Sequence, residues 1–389
     1  MTYGFHESVF ETITIPNTEF PLYDDCTLAF FLGFRNKTLW HLLHNKENNY
    51  RVFHIPKSNG RKRVIHAPSP IMQSVLHSVH ARILLPMESK LGDHVTAYRP
   101  NRSIMDAVAR HIPECPTCDS VPKGEVAKKH DCPRKGAYIK MDLKDFFPNT
   151  RRAWIRHLFQ DAGYSHHVSG LLANLMTVPF VNPRGVPGDN YKGTPRQKFL
   201  AGVPQGAPTS GAICNLVANT RIDTPLLAYF EKKNAEGGLQ APWDWRYSRY
   251  ADDLTITCGK DLPLGEKKQV VRDVTEIVER ARYRVNRSKT KITSAFYRRK
   301  MLGVVMNQKL NIAYDEYLRI RAIVHNCMVN GVDTQYARAG KESPEKLIQF
   351  LRGKVSFISS VHPGKGEKLK SELDVAIQNW KEKNDPPQH

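Results

Sequence analysis

Three acidic residues stand out for where they fall in the chain. Asp252 and Asp253 are adjacent in "RYSRYADDLTITC", residues 246–258, between two runs of strand-forming residues. Asp142 falls at the end of a third such run, "AYIKMDL". Carboxylates at the ends of separate strands can meet at one edge of a sheet, where their repulsion calls for a hard cation. Oxygen-only ligands suit Mg²⁺. Two such ions about 3.5–4 Å apart serve the attacking and leaving oxygens of nucleotidyl transfer. The plainer reading of two adjacent acids is a polar hairpin turn that holds no metal. Alternation along the second run points Leu254 and Ile256 into the core, and Thr255 and Thr257 to the opposite side.

A second group is chemically different. Cys115, Cys118, His130 and Cys132 lie in "CPTCDSVPKGEVAKKHDC" and have the make-up of a tetrahedral Zn²⁺ site, with His111 as another source of the fourth ligand. Such a zinc would be structural, ordering an insertion whose Lys- and Gly-rich loop has no apolar reason to settle. The alternative is a set of free thiols.

Charge narrows the partners. The 389 residues carry 58 Lys and Arg against 38 Asp and Glu, a formal charge of +20. A surface this basic favours polyanions, nucleic acid first and anionic membrane second. No apolar run reaches the roughly 18 residues of a membrane span. The N-terminus has neither the basic start nor the apolar core of a secretory signal, so a cytoplasmic protein is expected. Seven cysteines in such a chain do not suggest a disulfide framework.

The elements that must position these groups follow from period and punctuation. Residues 1–50 read as a helical extension. "YRVFHIPKSNGRKRVIHAPSP" reads as a hairpin turning at Ser58, Asn59 and Gly60. "EKKQVVRDVTEIVERARY" is an amphipathic helix with Val270, Val274, Ile277, Val278 and Ala281 on one face. "RKMLGVVMNQKLNI" reads as a pair of strands, and from about 313 the chain is basic and helical. The expected class is α/β (α+β).

In order along the chain, "IPKSNGRKRVIHAPSP", "MDLKDFFPNT", "GVPQGAPTSGAICNLVAN", "YADD", "YRVNRSKTKI" and "MLGVVMN" strongly resemble the motifs of a bacterial reverse transcriptase. The resemblance is to the compact kind related to retron and group II intron enzymes. It implies a right-hand polymerase fold with fingers, palm and thumb. The fingers would take 51–141, with the Cys/His insertion at 111–136. A palm of antiparallel sheet plus helices would take 142–312, with remaining fingers elements around 150–200. A helical, basic thumb would take 313–389.

The same resemblance implies roles. Asp142, Asp252 and Asp253 would hold two Mg²⁺ ions, assisted by the Leu143 carbonyl. Lys289 would protonate the leaving pyrophosphate as a general acid. Lys62 and Arg63 would grip the incoming triphosphate, and Phe147 would be the steric gate against a ribose 2′-hydroxyl. Gln205, Gly206 and Tyr250 would line the nucleotide site. The implied partners are dNTPs and a structured non-coding RNA copied into cDNA (msDNA in a retron). An effector protein in antiphage defence and an oligomeric state are both compatible. Competing readings are a non-retron defence-associated or group II intron-derived enzyme with protein-primed or template-independent synthesis, and a non-catalytic RNA-binding protein on a polymerase scaffold.

Overall fold

The computed structural model describes residues 24–56, 60, 62–120, 132–179, 201–236, 244–293, 297–307 and 309–384. Its strands in chain order are β1 (Tyr50–Pro56), β2 (Lys62–Pro68), β3 (Tyr138–Asp142), β4 (Val178–Pro179), β5 (Ala201–Gly202), β6 (Arg246–Tyr250), β7 (Asp253–Thr257), β8 (Lys291–Thr293), β9 (Lys300–Met301), β10 (Val304–Val305) and β11 (Asn311–Ile312). The chain divides into two compact units, Met1–Met87 with Phe147–Val217, and Glu88–Phe146 with Ala218–His389. Residues 88–136, expected with the fingers, therefore group with the sheet that carries Asp142.

In the first unit β1 and β2 form the expected antiparallel hairpin, from Tyr50 opposite Pro68 to Pro56 opposite Lys62. Of its expected turn residues, Ser58 and Asn59 lie outside the described residues, and Gly60 takes a left-handed φ of 75° that glycine adopts without cost. Helix starts are written locally. Asp24 accepts from the Thr27 N–H at 2.7 Å, and Ser69 caps the helix Pro70–Val79 with Pro70 in its first turn. β4 and β5 make a second short antiparallel pair.

The second unit is built on a four-stranded antiparallel sheet of order β6-β7-β3-β8. β6 and β7 form the hairpin read from "RYADD", turning at Ala251 with φ 56°, an uncommon conformation for a residue with a Cβ. Thr255 and Thr257, on the face opposite Leu254 and Ile256, are buried as well, so both faces of β7 are covered. Part of the reason is His111, which lies against the threonine face and bonds the Thr257 and Ser248 hydroxyls at 2.8 and 2.6 Å. β3 starts at a tight crossing, where a Cβ on Gly136 would stand 1.7 Å from the Cys258 carbonyl oxygen. Beside it the Ala137 N–H donates to Lys260 O, and the Cys258 N–H to Ala137 O.

The helix Leu264–Arg280 buries Val270, Val274 and Val278 on the predicted face, with Ile277 half-buried at its margin. "MLGVV" and its flanks form three short strands rather than two, in the order β11-β10-β9. Helices Tyr314–Asn330, Pro344–Val361 and Pro363–Asn384 follow. They share one apolar core with Val304 and Ile312 of the small sheet, which includes Ile320, Val324, Leu351, Ile358 and Leu373. Among the described residues no helix is long and apolar enough to cross a membrane.

Candidate active site

Sheet register brings the acids together. Asp142, the last residue of β3, stands directly opposite Asp253, the first of β7. Asp252 occupies the turn between β6 and β7, and its carbonyl accepts from the Leu143 N–H at 2.8 Å. Like charges facing each other across strands are destabilising, so something else must hold this edge.

Three partners do so. Lys289 donates to Asp142 Oδ2 at 2.8 Å, and the Asn286 side-chain amide donates to Asp142 Oδ1 at 2.9 Å. Lys140, two residues before Asp142 and therefore on the same face of β3, donates to Asp253 Oδ2 at 3.0 Å. The segment carrying Asn286 and Lys289 is pinned in turn, because the Asn286 N–H donates to Asp142 O and the Lys144 N–H to Arg284 O. The sequence pattern singled out Lys289. Lys140 and Asn286 were missed, although the period of two along β3 was enough to place Lys140 beside Asp142.

Asp252 is the electrostatically frustrated member. Burial pushes its carboxyl above the ordinary value, and repulsion from Asp142 and Asp253 adds to that, against its own backbone N–H and Lys289. The hydrogen bond to Asp142 raises Lys289, so that side chain keeps its proton throughout the neutral range. An all-oxygen donor set with one strained carboxylate fits a hard divalent cation.

Behind the hairpin lies a second polar group, which sequence reasoning did not find. Arg249 in β6 and Asp223 are both fully buried and paired through two guanidinium nitrogens, the shortest contact being 2.7 Å. Asp223 also accepts from the Tyr247 hydroxyl at 2.7 Å, and His94 stands 3.7 Å away. Burial alone would raise the Asp223 carboxyl, but the charge of Arg249 and the hydrogen bonds outweigh it and hold it low. Arg249 also donates to Ala251 O at 3.3 Å and lies 5.6 Å from the ring centre of Phe146. The network thus grips the residue at the hairpin tip.

With this geometry in place, the comparison with known families becomes specific. The family model described as "Reverse transcriptase (RNA-dependent DNA polymerase)" matches residues 55–306. The chain belongs to that family.

Its α+β fold is the right-hand polymerase fold of reverse transcriptases. The chain is 28% identical over 331 residues to the retron Mx65 reverse transcriptase of Myxococcus xanthus, covering 85% of this chain and 65% of that one. It is 26% identical over 358 residues to the retron Mx162 reverse transcriptase of the same organism, covering 87% and 64%. To the retron Ec86 reverse transcriptase of Escherichia coli it is 26% identical over 333 residues, covering 84% and 80%. The chain spans just under two thirds of the length of the two Myxococcus relatives.

The other residues expected of a reverse transcriptase fall as follows. Lys62 and Arg63 are exposed at the start of β2. Gln205 and Gly206 dock on that same strand, through a bond from the His66 N–H to Gln205 O at 2.8 Å. Gly206 has φ 117°, and a Cβ there would stand 3.0 Å from the Ile65 side chain and 3.1 Å from His66 O, so the approach requires glycine. Gln205 Oε1 is enclosed without a hydrogen-bond partner among the described residues. Phe147 and Tyr250 are half-buried, whereas Phe146 is buried against Tyr283 at 5.9 Å. The Leu143 side chain is buried, leaving only its backbone for any ligand.

Of the cysteine group, the thiols of Cys115, Cys118 and Cys132 come together, and His130 lies outside the described residues. His111 does not join them. Both its ring nitrogens are engaged by Thr257 and Ser248, and burial, aided by Arg110 and Arg246, lowers it to about 3.

Proposed function

We propose that this chain is an RNA-directed DNA polymerase of the retron type, copying a structured non-coding RNA into cDNA from dNTPs. The observation that carries the proposal is the meeting of Asp142, Asp252 and Asp253 at one sheet edge, with Lys289 on Asp142, in a member of the reverse transcriptase family. Asp142, Asp252, Asp253 and the Leu143 carbonyl are the residues that would hold Mg²⁺, which when bound supplies Lewis-acid activation and charge neutralisation for nucleotidyl transfer. Lys289, protonated at neutral pH, donates its proton to the departing pyrophosphate. Lys62 and Arg63 neutralise the triphosphate, Gln205 and Gly206 line the nucleotide site with Tyr250, and Phe147 excludes the 2′-hydroxyl. The proposal extends, as the resemblance to retron-type enzymes implies, to a role in antiphage defence with an effector protein.

The test uses the full chain with its co-purified nucleic acid, a primed RNA template, labelled dNTPs and Mg²⁺. Wild type is expected to extend the primer, and Phe147→Val to accept ribonucleotides that wild type rejects. Absence of extension by wild type on every RNA, its own included, would overturn the proposal.

A further inference from the structure

The cysteine group forms a small centre at the other end of β3 from Asp142, and polymerase chemistry makes no use of it. The Sγ atoms of Cys115, Cys118 and Cys132 all lie within 4.8 Å of one another, with Cys118 to Cys132 at 3.5 Å and Cys132 to Cys115 at 3.8 Å. Thiolates bound tetrahedrally at about 2.3 Å from a zinc ion stand about 3.8 Å apart. The spacing is therefore that of ligands around a common ion. None of the three is in a disulfide.

Packing alone does not explain why they gather. The three thiols are buried, yet they form an apolar cluster of their own, separate from the core shared by the small sheet and the C-terminal helices. Fixing each backbone residue costs about 1–2 kcal/mol. Apolar burial returns only about 25 cal/mol per Å², and three such small side chains offer little area. The surrounding contacts hold sulfur-bearing backbone in place. Asp119 accepts from the Cys115 N–H at 3.1 Å, and both its carboxylate oxygens accept from Arg134 Nη2, at 2.8 and 2.7 Å. Arg134 Nε donates to Pro113 O at 2.8 Å. The Lys135 N–H donates to Cys132 O at 2.8 Å, closing the turn that leads into β3.

Charge makes an independent argument. Arg299 is 4% exposed, and its guanidinium donates to the backbone carbonyls of Arg134 and Gly136. Its Nε has no hydrogen-bond partner among the described residues, and the groups whose charge favours it are Asp261, which already pairs with Lys267 at 2.6 Å, then Tyr138 and Cys132. A buried cation of this kind calls for negative charge nearby. Three thiolates around one Zn²⁺ carry a single net negative charge, whereas three thiols carry none.

We propose that Cys115, Cys118 and Cys132 are thiolate ligands of one structural zinc ion that pins residues 113–120 to the turn preceding β3. The ion stabilises the start of the strand that ends in Asp142, without taking part in polymerisation.

The experiment measures metal on the full chain purified without chelators. Mass spectrometry is expected to find about one zinc per chain, lost in Cys118→Ser and Cys132→Ser and kept in Cys26→Ser, whose thiol is exposed and outside the group. Because the serine variants could misfold, two measurements use wild type alone. An organomercurial that caps the thiols should release the zinc into a chromophoric chelator. Replacement by Co²⁺ should produce near-ultraviolet sulfur-to-cobalt charge-transfer absorption together with tetrahedral visible bands. Wild type that holds no zinc after reconstitution while its thiols react freely with Ellman's reagent would overturn the proposal. So would zinc retained undiminished in Cys118→Ser, or a disulfide between two of the three.

Discussion

Two acid–base pairs flank the β6–β7 hairpin, and they are built in opposite ways. Behind it, Asp223 and Arg249 are both fully buried, joined by several hydrogen bonds and supported by Tyr247. In front of it, Asp142 meets Lys289 through one nitrogen, and the lysine side chain is 57% exposed. The forked guanidinium fixes direction as well as distance, while a single ammonium on a flexible stem can leave. The rear pair is therefore scaffolding for Ala251. Under the proposed function the front pair is a placeholder, holding a carboxylate that would be surrendered to cation and substrate.

The contrast can be broken most severely at the front. Asp252→Ala is expected to lower primer extension at least about a thousandfold, since a metal-held transition state is worth several kcal/mol, while RNA binding measured by filter retention stays unchanged. Parallel loss of binding would mean the residue acts in RNA contact instead. At the rear, Asp223→Ala should cost about 3–5 kcal/mol of stability by urea unfolding, because it strands a buried guanidinium. A cost near zero would show that the rear pair is not scaffolding. Replacing both partners, Asp223→Leu with Arg249→Met, should restore much of the stability but leave extension impaired, because the grip on Ala251 is gone.

Smaller effects sharpen the same distinction. Lys289→Gln is expected to slow extension about a hundredfold as a lost general acid, with little change in unfolding midpoint at neutral pH. Lys289 is raised in the folded state, so whatever stability its pair contributes is present below the unfolded lysine value of 10.5 and fades as pH climbs through the folded one. Asp252 has the opposite consequence. Its folded carboxyl is raised, so the ionised form penalises folding at neutral pH. Asp252→Asn should therefore raise the thermal midpoint at pH 7, an advantage that disappears as pH falls towards the ordinary 3.8. An equal advantage at both pH values would rule out charge as its cause.

Much of the front of this site was legible in the sequence. Asp142, Asp252 and Asp253 sit at strand ends bracketed by period-two runs, and the antiparallel register then leaves few places for them to go. The rear was not legible. Asp223 reads as one acid in a helical run, and Arg249 as one of two arginines in "RYSRY". Their pairing depends on how a π-helical turn at Asn219–Asp223 meets β6, which no local propensity specifies. His111 was misread for the same reason. Proximity in sequence suggested the cysteines, while the sheet offered it two hydroxyls. The extra strand at "MLGVV" escaped because runs of two residues carry almost no periodic signal.

Gly136 sets the phase of β3. Sliding a strand by one residue exchanges its two faces. Tyr138, Lys140 and Asp142 would turn away, and Ile139 and Met141 would take their place. A slide would also bring Lys135 or Ala137, each with a Cβ, against the Cys258 carbonyl, where only a hydrogen fits. The parity of the strand is thus decided six residues upstream of Asp142, by a glycine just before the strand begins.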